Sequence, residues 1–370
     1  MQHFTVHEDE AVDARVRADL ARIVEGLVAE VPRLTALVLV GAFGRGEGTV
    51  VRDAGGVRAY NDYDLVLVHP AGVAVPDLRA RRRALAAALG VTHVDVEVLS
   101  EDELARLPPT MHAHDLKAGG RVVHGDPAVL ERVPALAGAD VDRGAARLLL
   151  FNRLTCLLEC VRAPFFREAP AGAERFWMAY MTHKVMLSVG AAMLVVERLY
   201  HHGYRERLAR FSERFAARPE LVALLSEATR FKLDPPAEVP DPRPAWFAVR
   251  EPYLALVKSL AEEALGPAAG WDELARAYRG DRARDALRKA KWWVLDRRKY
   301  DDIVNSARRK DIELAEIYLT AAVRADGSFD AELTARGRDL LAPHTAAGLD
   351  DWEACRAEAV RLDLCHVHPT

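Results

Sequence analysis

The chain has little with which to staple or bridge itself. Four cysteines among 370 residues, with no Cys-x-x-Cys pair, supply neither a disulfide framework nor a structural zinc site. Its longest mostly apolar run, residues 186–196, falls short of the roughly 18–20 residues that cross a bilayer. No membrane partner is expected. The first ten residues hold acids and histidines where a secretory leader needs a basic start and an apolar stretch, so the expected location is cytoplasmic. Positive charge is not in excess either: 51 basic and 55 acidic residues give −4, which excludes the uniformly basic field of a general nucleic-acid binder. Lysine is scarce, at eight against 43 arginines, and no repeat or low-complexity tract is present.

What is present is the composition of a folded protein, 50% hydrophobic and 29% charged, long enough for two or three domains. Up to about residue 140 strand and helix signals alternate. Helical spacing covers 13–30 and 77–89, and strand patterns cover 35–40, 62–68, 92–99 and 121–124. Beyond 141 strand signals nearly vanish, and helical patterns run over 143–162, 173–201, 204–217, 220–232 and 246–265. The expected fold class is α+β: a small mixed sheet flanked by helices over 1–140, then a larger all-helical domain over 141–370. Five prolines between 235 and 244 preclude regular helix there and suggest a subdivision near 234–245.

The chemistry concentrates where the first expected strand runs into Gly41-Ala42-Phe43-Gly44-Arg45-Gly46-Glu47-Gly48. Four glycines in eight residues let the backbone turn tightly and bring N–H groups against a ligand, and Arg45 adds a fixed cation. That suits phosphate, although glycine-rich turns also serve as plain connections. Downstream, Asn61-Asp62-Tyr63-Asp64-Leu65 opens an aliphatic run, and strand alternation places Asp62 and Asp64 on one face. Two adjacent carboxylates repel, and a divalent cation between them relieves the repulsion; hard oxygen donors favour Mg2+ or Mn2+. The strand over 92–99 then offers His93, Asp95 and Glu97 on one face and Val94, Val96 and Val98 on the other.

Together the glycine loop, the Asp-Tyr-Asp strand and the Val-Asp-Val strand resemble the nucleotidyltransferase superfamily with a DNA polymerase beta-like fold. The likeness spans roughly the first 125 residues and is closest to the aminoglycoside and other small-molecule nucleotidyltransferases. It implies Asp62 and Asp64 as the metal-binding pair and Asp95 as the third acid and general base; Glu97, two residues on along the same strand face, is the alternative base. It also implies nucleotide contacts at Gly41, Ala42, Gly44 and Arg45, two Mg2+ ions (or Mn2+), and ATP or another nucleoside triphosphate as substrate. The expected reaction moves AMP onto a hydroxyl of a small molecule, such as an aminoglycoside-like or sugar-containing natural product, and releases pyrophosphate. Two features depart from the family: Ala42 stands where serine or a second glycine is usual, and the segment between Gly41 and Asp62 is long, with Gly55 and Gly56 suggesting an inserted hairpin.

Enzymes of this kind use basic residues of a helical domain to hold the β- and γ-phosphates. Lys184, beside His183 in an apolar helix, and Arg153, beside Asn152, are the candidates; salt bridges to Glu159 or Glu174 are the structural alternative. Between 279 and 310, twelve basic side chains face five acids, with Trp292, Trp293 and Tyr300 interleaved. That segment suggests an alternative, transfer to an RNA end such as that of tRNA, although a solvated helical face is the commoner explanation of such a segment. Arg361 and His366 also have the Arg-x4-His spacing of some RNA-cleaving helical domains. Ala42 motivates a third reading, a non-catalytic nucleotide-binding regulatory protein.

Overall fold

The run Ala36-Leu37-Val38-Leu39 forms strand β1, buried at all four positions because it is an interior strand of a four-stranded sheet. The computed structural model describes residues 3–7, 9–53, 56–60, 62–280 and 297–367. Helix α1 (Glu10–Glu30) precedes β1 and starts at Asp9, whose carboxylate accepts from the Ala11 and Val12 N–H groups. After β1 come a single helical turn, α2 (Gly41–Gly44), and a hairpin of β2 (Val50–Asp53) and β3 (Gly56–Ala59). The insertion suggested by Gly55 and Gly56 is therefore a separate two-stranded sheet, although Gly55 itself lies outside the described residues.

The main sheet continues with β4 (Asp62–His69), β5 (His93–Ser100) and β6 (Arg121–Gly125), in the order β5-β4-β1-β6. β1 is antiparallel to β4 and β6, whereas β4 and β5 are parallel. A parallel pair needs a crossover, and α3 (Arg79–Leu89) supplies it, ending at Gly90 in the left-handed region. α4 (Glu101–Leu104) and α5 (Met111–Gly119) follow β5, started by the Ser100 and Thr110 side chains.

Period-two alternation sorts the side chains between two cores. Leu37, Leu39, Tyr63, Leu65, Leu67, Val94 and Val96 pack with Val16, Ile23 and Leu27 of α1 and with Leu85 and Leu89 of α3. Ala36, Val38, Val66 and Val68 pack on the other face with Leu104 and Leu116. Asp62 and Asp64 belong by alternation to that second face, at the end of the strand where the apolar core stops. Val98, on the same strand face as Val94 and Val96, is 37% exposed on the edge strand β5.

The chain divides into two units, Met1–Ala145 with Met193–Ala237, and Ala146–Ala192 with Glu238–Thr370. The sequence placed everything after 141 in the helical domain, yet 193–237, carrying α9 (Tyr204–Arg214) and α10 (Pro219–Leu233), belongs with the sheet. Specific polar bonds fasten it there. The Tyr200 hydroxyl donates to Asp115 at 3.0 Å, Thr49 Oγ1 donates to the Lys232 carbonyl at 2.5 Å, and Glu47 accepts the N–H of Tyr204 at 2.8 Å.

The helix expected over 143–162 breaks into α6 (Arg143–Phe151) and α7 (Leu154–Glu159), with Arg153 out of helical geometry between them. α8 (Gly172–Val196) is long and apolar enough by composition to cross a membrane, but 78% of its apolar window is buried within the protein, so it packs as a core helix. After the proline-rich stretch, the second unit continues with α11 (Arg243–Leu265), α12 (Trp271–Arg279), α13 (Arg297–Ala321), α14 (Ala331–Leu341) and α15 (Trp352–Val367). Trp246 is fully buried there, its indole N–H donating to Leu157 O at 3.0 Å.

Candidate functional site

Parallel pairing sets β4 and β5 in a register that puts Asp64 directly beside Asp95. With Asp62 two residues earlier on β4, carboxylate oxygens of Asp62, Asp64 and Asp95 lie within 4.8 Å of one another, the one such acidic group found among the described residues. Crowding has an electrostatic cost. Burial, and then the charges of Asp62 and Asp95, push the Asp64 carboxyl up to about 6, against the opposing pull of Lys232 and Arg45.

Gly41 makes this arrangement possible. Its φ is +63°, and a Cβ there would lie 2.1 Å from Asp64 Oδ2, so only glycine lets the loop close over the acid. The preceding residue reinforces the approach, Val40 N–H donating to the Asp64 carbonyl at 2.9 Å.

A cleft of ≈ 260 Å³ opens beside the acids, bounded by Gly41 and Arg45, by Asp64, Asp95 and Glu97, and by His112 and Asp115 of α5. Glu97 is engaged there: its carboxylate is 2.9 Å from His112 Nε2, and that bond raises the imidazole's pKa. Arg45 is nearly buried between Asp115 at 3.4 Å and Glu47 at 3.7 Å, with its guanidinium 5.2 Å from the centre of the Tyr204 ring. Burial raises the Asp115 carboxyl in spite of Arg45, Arg207 and the Tyr200 hydroxyl bond. Burial also acts to raise the Tyr204 phenol, but Lys232, Arg45 and Arg207 outweigh it and hold that group below its ordinary value.

Of the residues singled out from sequence, Asp62, Asp64, Asp95, Glu97, Gly41 and Arg45 come together at one place. Gly44 has a packing role: its N–H donates to Val40 O at 3.1 Å, and a Cβ would meet Leu39 O at 2.6 Å and Gly119 O at 2.9 Å. Ala42 closes the turn through its carbonyl, which accepts from Glu47 N–H at 2.9 Å. Arg153 and Lys184 belong to the second unit. Asn61 and the basic stretch 281–296, with Trp292 and Trp293, lie outside the described residues.

Sequence reasoning missed His112, Asp115, Arg82 and Lys232. Arg82 donates to Asp95 and, through Nε, to the Val94 carbonyl at 2.8 Å. The scarcity of lysine was a usable signal for Lys232, but it pointed equally to Lys184. The chain matches no protein-family model, and no curated protein sequence matches it significantly.

Proposed function

We propose that this chain is a metal-dependent nucleotidyltransferase whose sheet-containing unit is a nucleotidyltransferase domain of the DNA polymerase beta-like kind. The observation that carries the reading is the set of three carboxylates from two adjacent strands, with oxygens within 4.8 Å, at the edge of a cleft that also holds Arg45. An all-oxygen donor set suits Mg2+ or Mn2+, and the Asp64 carboxyl, raised by burial and then by the charges of Asp62 and Asp95, is one whose ionised form a divalent cation stabilises. When bound, two such ions supply charge neutralisation at the attacking and leaving oxygens of an in-line displacement on phosphorus.

The remaining work falls to this chain's own residues. Asp62, Asp64 and Asp95 hold the cations. Gly41 keeps the loop backbone close to Asp64, and Arg45 and Lys232 bring positive charge to the triphosphate beside the acids. Asp95 is our choice of base for the acceptor hydroxyl, because its carboxylate stands with Asp62 and Asp64 and that of Glu97 does not.

ATP is the proposed donor of AMP, with a small-molecule hydroxyl as acceptor and pyrophosphate as leaving group. Asp95, Glu97 and Asp115 give the cleft an acidic wall that disfavours a polynucleotide. Two described arginines of the basic segment are paired, Arg279 with Asp311 at 2.8 Å and Arg309 with Glu313 at 2.9 Å, which weakens the case for an RNA acceptor.

Calorimetric titration with each nucleoside triphosphate in Mg2+, on the wild type and on the Asp62→Asn, Asp64→Asn double variant, tests the proposal. Mg2+-dependent binding of one triphosphate, lost in the double variant, is the expected result. A folded wild type that binds none of them defeats the reading.

A further inference from the structure

α3 carries four arginines in five residues, Arg79, Arg81, Arg82 and Arg83, and helical phase gives them different fates. Arg79 pairs with Asp77 at 2.7 Å and Arg81 with Glu30 at 2.5 Å, both at the surface. Arg82 turns instead toward β5. Its Nε–H donates to the Val94 carbonyl at 2.8 Å, and a terminal nitrogen donates to Asp95 Oδ1. One end of the planar guanidinium is thus fixed to the strand backbone, and the other fixes the carboxylate carried by the next residue of that strand.

Asp95 needs such a hold. Its side chain is 43% exposed, it sits on an edge strand, and it faces two other carboxylates that repel it. An unrestrained aspartate there gains by swinging its charge toward solvent. We propose that Arg82 is a positioning residue for the divalent cation, holding the Asp95 carboxylate in the orientation that completes the Asp62–Asp64–Asp95 set. This inference rests on the metal-binding reading above. The competing role is repulsion: a fixed positive charge beside a cation site lowers its affinity. The two roles predict opposite signs when Arg82 is removed.

Mn2+ alone is the probe. Its binding to the full chain is followed through the electron paramagnetic resonance signal of the free ion, with circular dichroism melts as the check on folding. The wild type, Asp64→Asn, Arg82→Ala and Arg82→Lys are compared. We expect wild-type binding that Asp64→Asn removes, and a loss of about tenfold or more in Arg82→Ala, the usual effect of removing a group that orients a metal ligand. Arg82→Lys keeps the charge but cannot hold Val94 O and Asp95 with one rigid plane, so its affinity should stay within about threefold of the alanine variant.

Unchanged or tighter Mn2+ binding by Arg82→Ala overturns the proposal, and so does wild-type affinity in Arg82→Lys. If the alanine variant does not fold, the lysine variant decides alone: loss of affinity supports positioning and wild-type affinity refutes it. A wild type that binds no Mn2+, or an Asp64→Asn variant that binds like wild type, fails the metal reading itself and removes the basis for Arg82's role.

Discussion

Asp64 and Asp95 stand side by side on the parallel strands β4 and β5, and burial together with the charges of Asp62 and Asp95 holds the Asp64 carboxyl at about 6. Because that value lies above the unfolded value of 3.8, the folded chain binds the proton more tightly than the unfolded one. Without metal, this group's contribution to stability is greatest below about pH 4 and declines as pH rises through about 6. Asp64→Asn should therefore be more stable than wild type at pH 7.5 in a chelator, by about 3 kcal/mol, with the gap closing at pH 4. Urea unfolding of both proteins at the two pH values checks this. An equal gap at both would show that Asp64 carries no such strain.

Gly41 and Gly72 both have φ above +60°, but only Gly41 meets another residue if it gains a Cβ. Alanine at either position should cost about 1–2 kcal/mol for the left-handed backbone. Gly41→Ala must also displace the Asp64 carboxylate, so Mg2+-dependent triphosphate binding should fall about tenfold or more beyond the stability cost. Gly72→Ala should melt earlier and bind normally. Equal binding by the two variants would remove Gly41 from the site.

The site's acids were legible because period two is a strong signal: Asp62 and Asp64, then Asp95 and Glu97, alternate with the buried residues Tyr63, Leu65, Val94 and Val96. Their partners were not. Arg79, Arg81, Arg82 and Arg83 are alike in composition, and only the phase of α3 against β5 selects Arg82 for Asp95. His112 was hidden in a helix whose apolar spacing is weak, and its meeting with Glu97 depends on how α5 lies on the sheet. The allegiance of α9 and α10 was also invisible, since helical periodicity tells which face is buried but not against which neighbour. Polar bonds over long sequence separations decide it, Tyr200 to Asp115 and Thr49 to Lys232 among them.

One of these distant bonds gives a stability prediction. α9 begins at Gly203, which has no side chain to cap it, and Glu47 from the glycine loop accepts the N–H groups of Tyr204 at 2.8 Å and Arg205 at 3.2 Å. The carboxylate satisfies two donors of the first turn and places negative charge at the positive end of the helix. Glu47→Ala should destabilise the protein by about 1–2 kcal/mol. Glu47→Gln retains acceptor oxygen but loses the charge, so it should cost less, about 0.5–1 kcal/mol. Denaturant midpoints for the three proteins test the ranking, and a glutamine variant as damaged as the alanine one would contradict this account of the cap.

In the helical unit, Thr155 Oγ1 lies within hydrogen-bonding distance of both Glu316 and Asp363, at 2.6 Å from the latter. A hydroxyl has one proton to donate, so two ionised carboxylates cannot both be satisfied by it; one carboxyl must present its own O–H to the threonine oxygen. Burial favours Glu316 for that proton. It is 1% exposed, and burial, then Asp363, hold its pKa well above the ordinary range, with Glu313 adding to the rise and Thr155 and Arg309 opposing it. The folded value exceeds the unfolded one, so this group's stabilisation is complete below about pH 4 and is lost progressively as pH rises toward the folded value. Glu316→Gln retains the size and an N–H donor without the proton equilibrium. Its stability relative to wild type should therefore improve as pH rises above the unfolded value, until the folded value is passed. Urea unfolding at pH 5, 6.5 and 8 measures that difference, and a value that does not change with pH would mean that Glu316 is ionised in the folded protein.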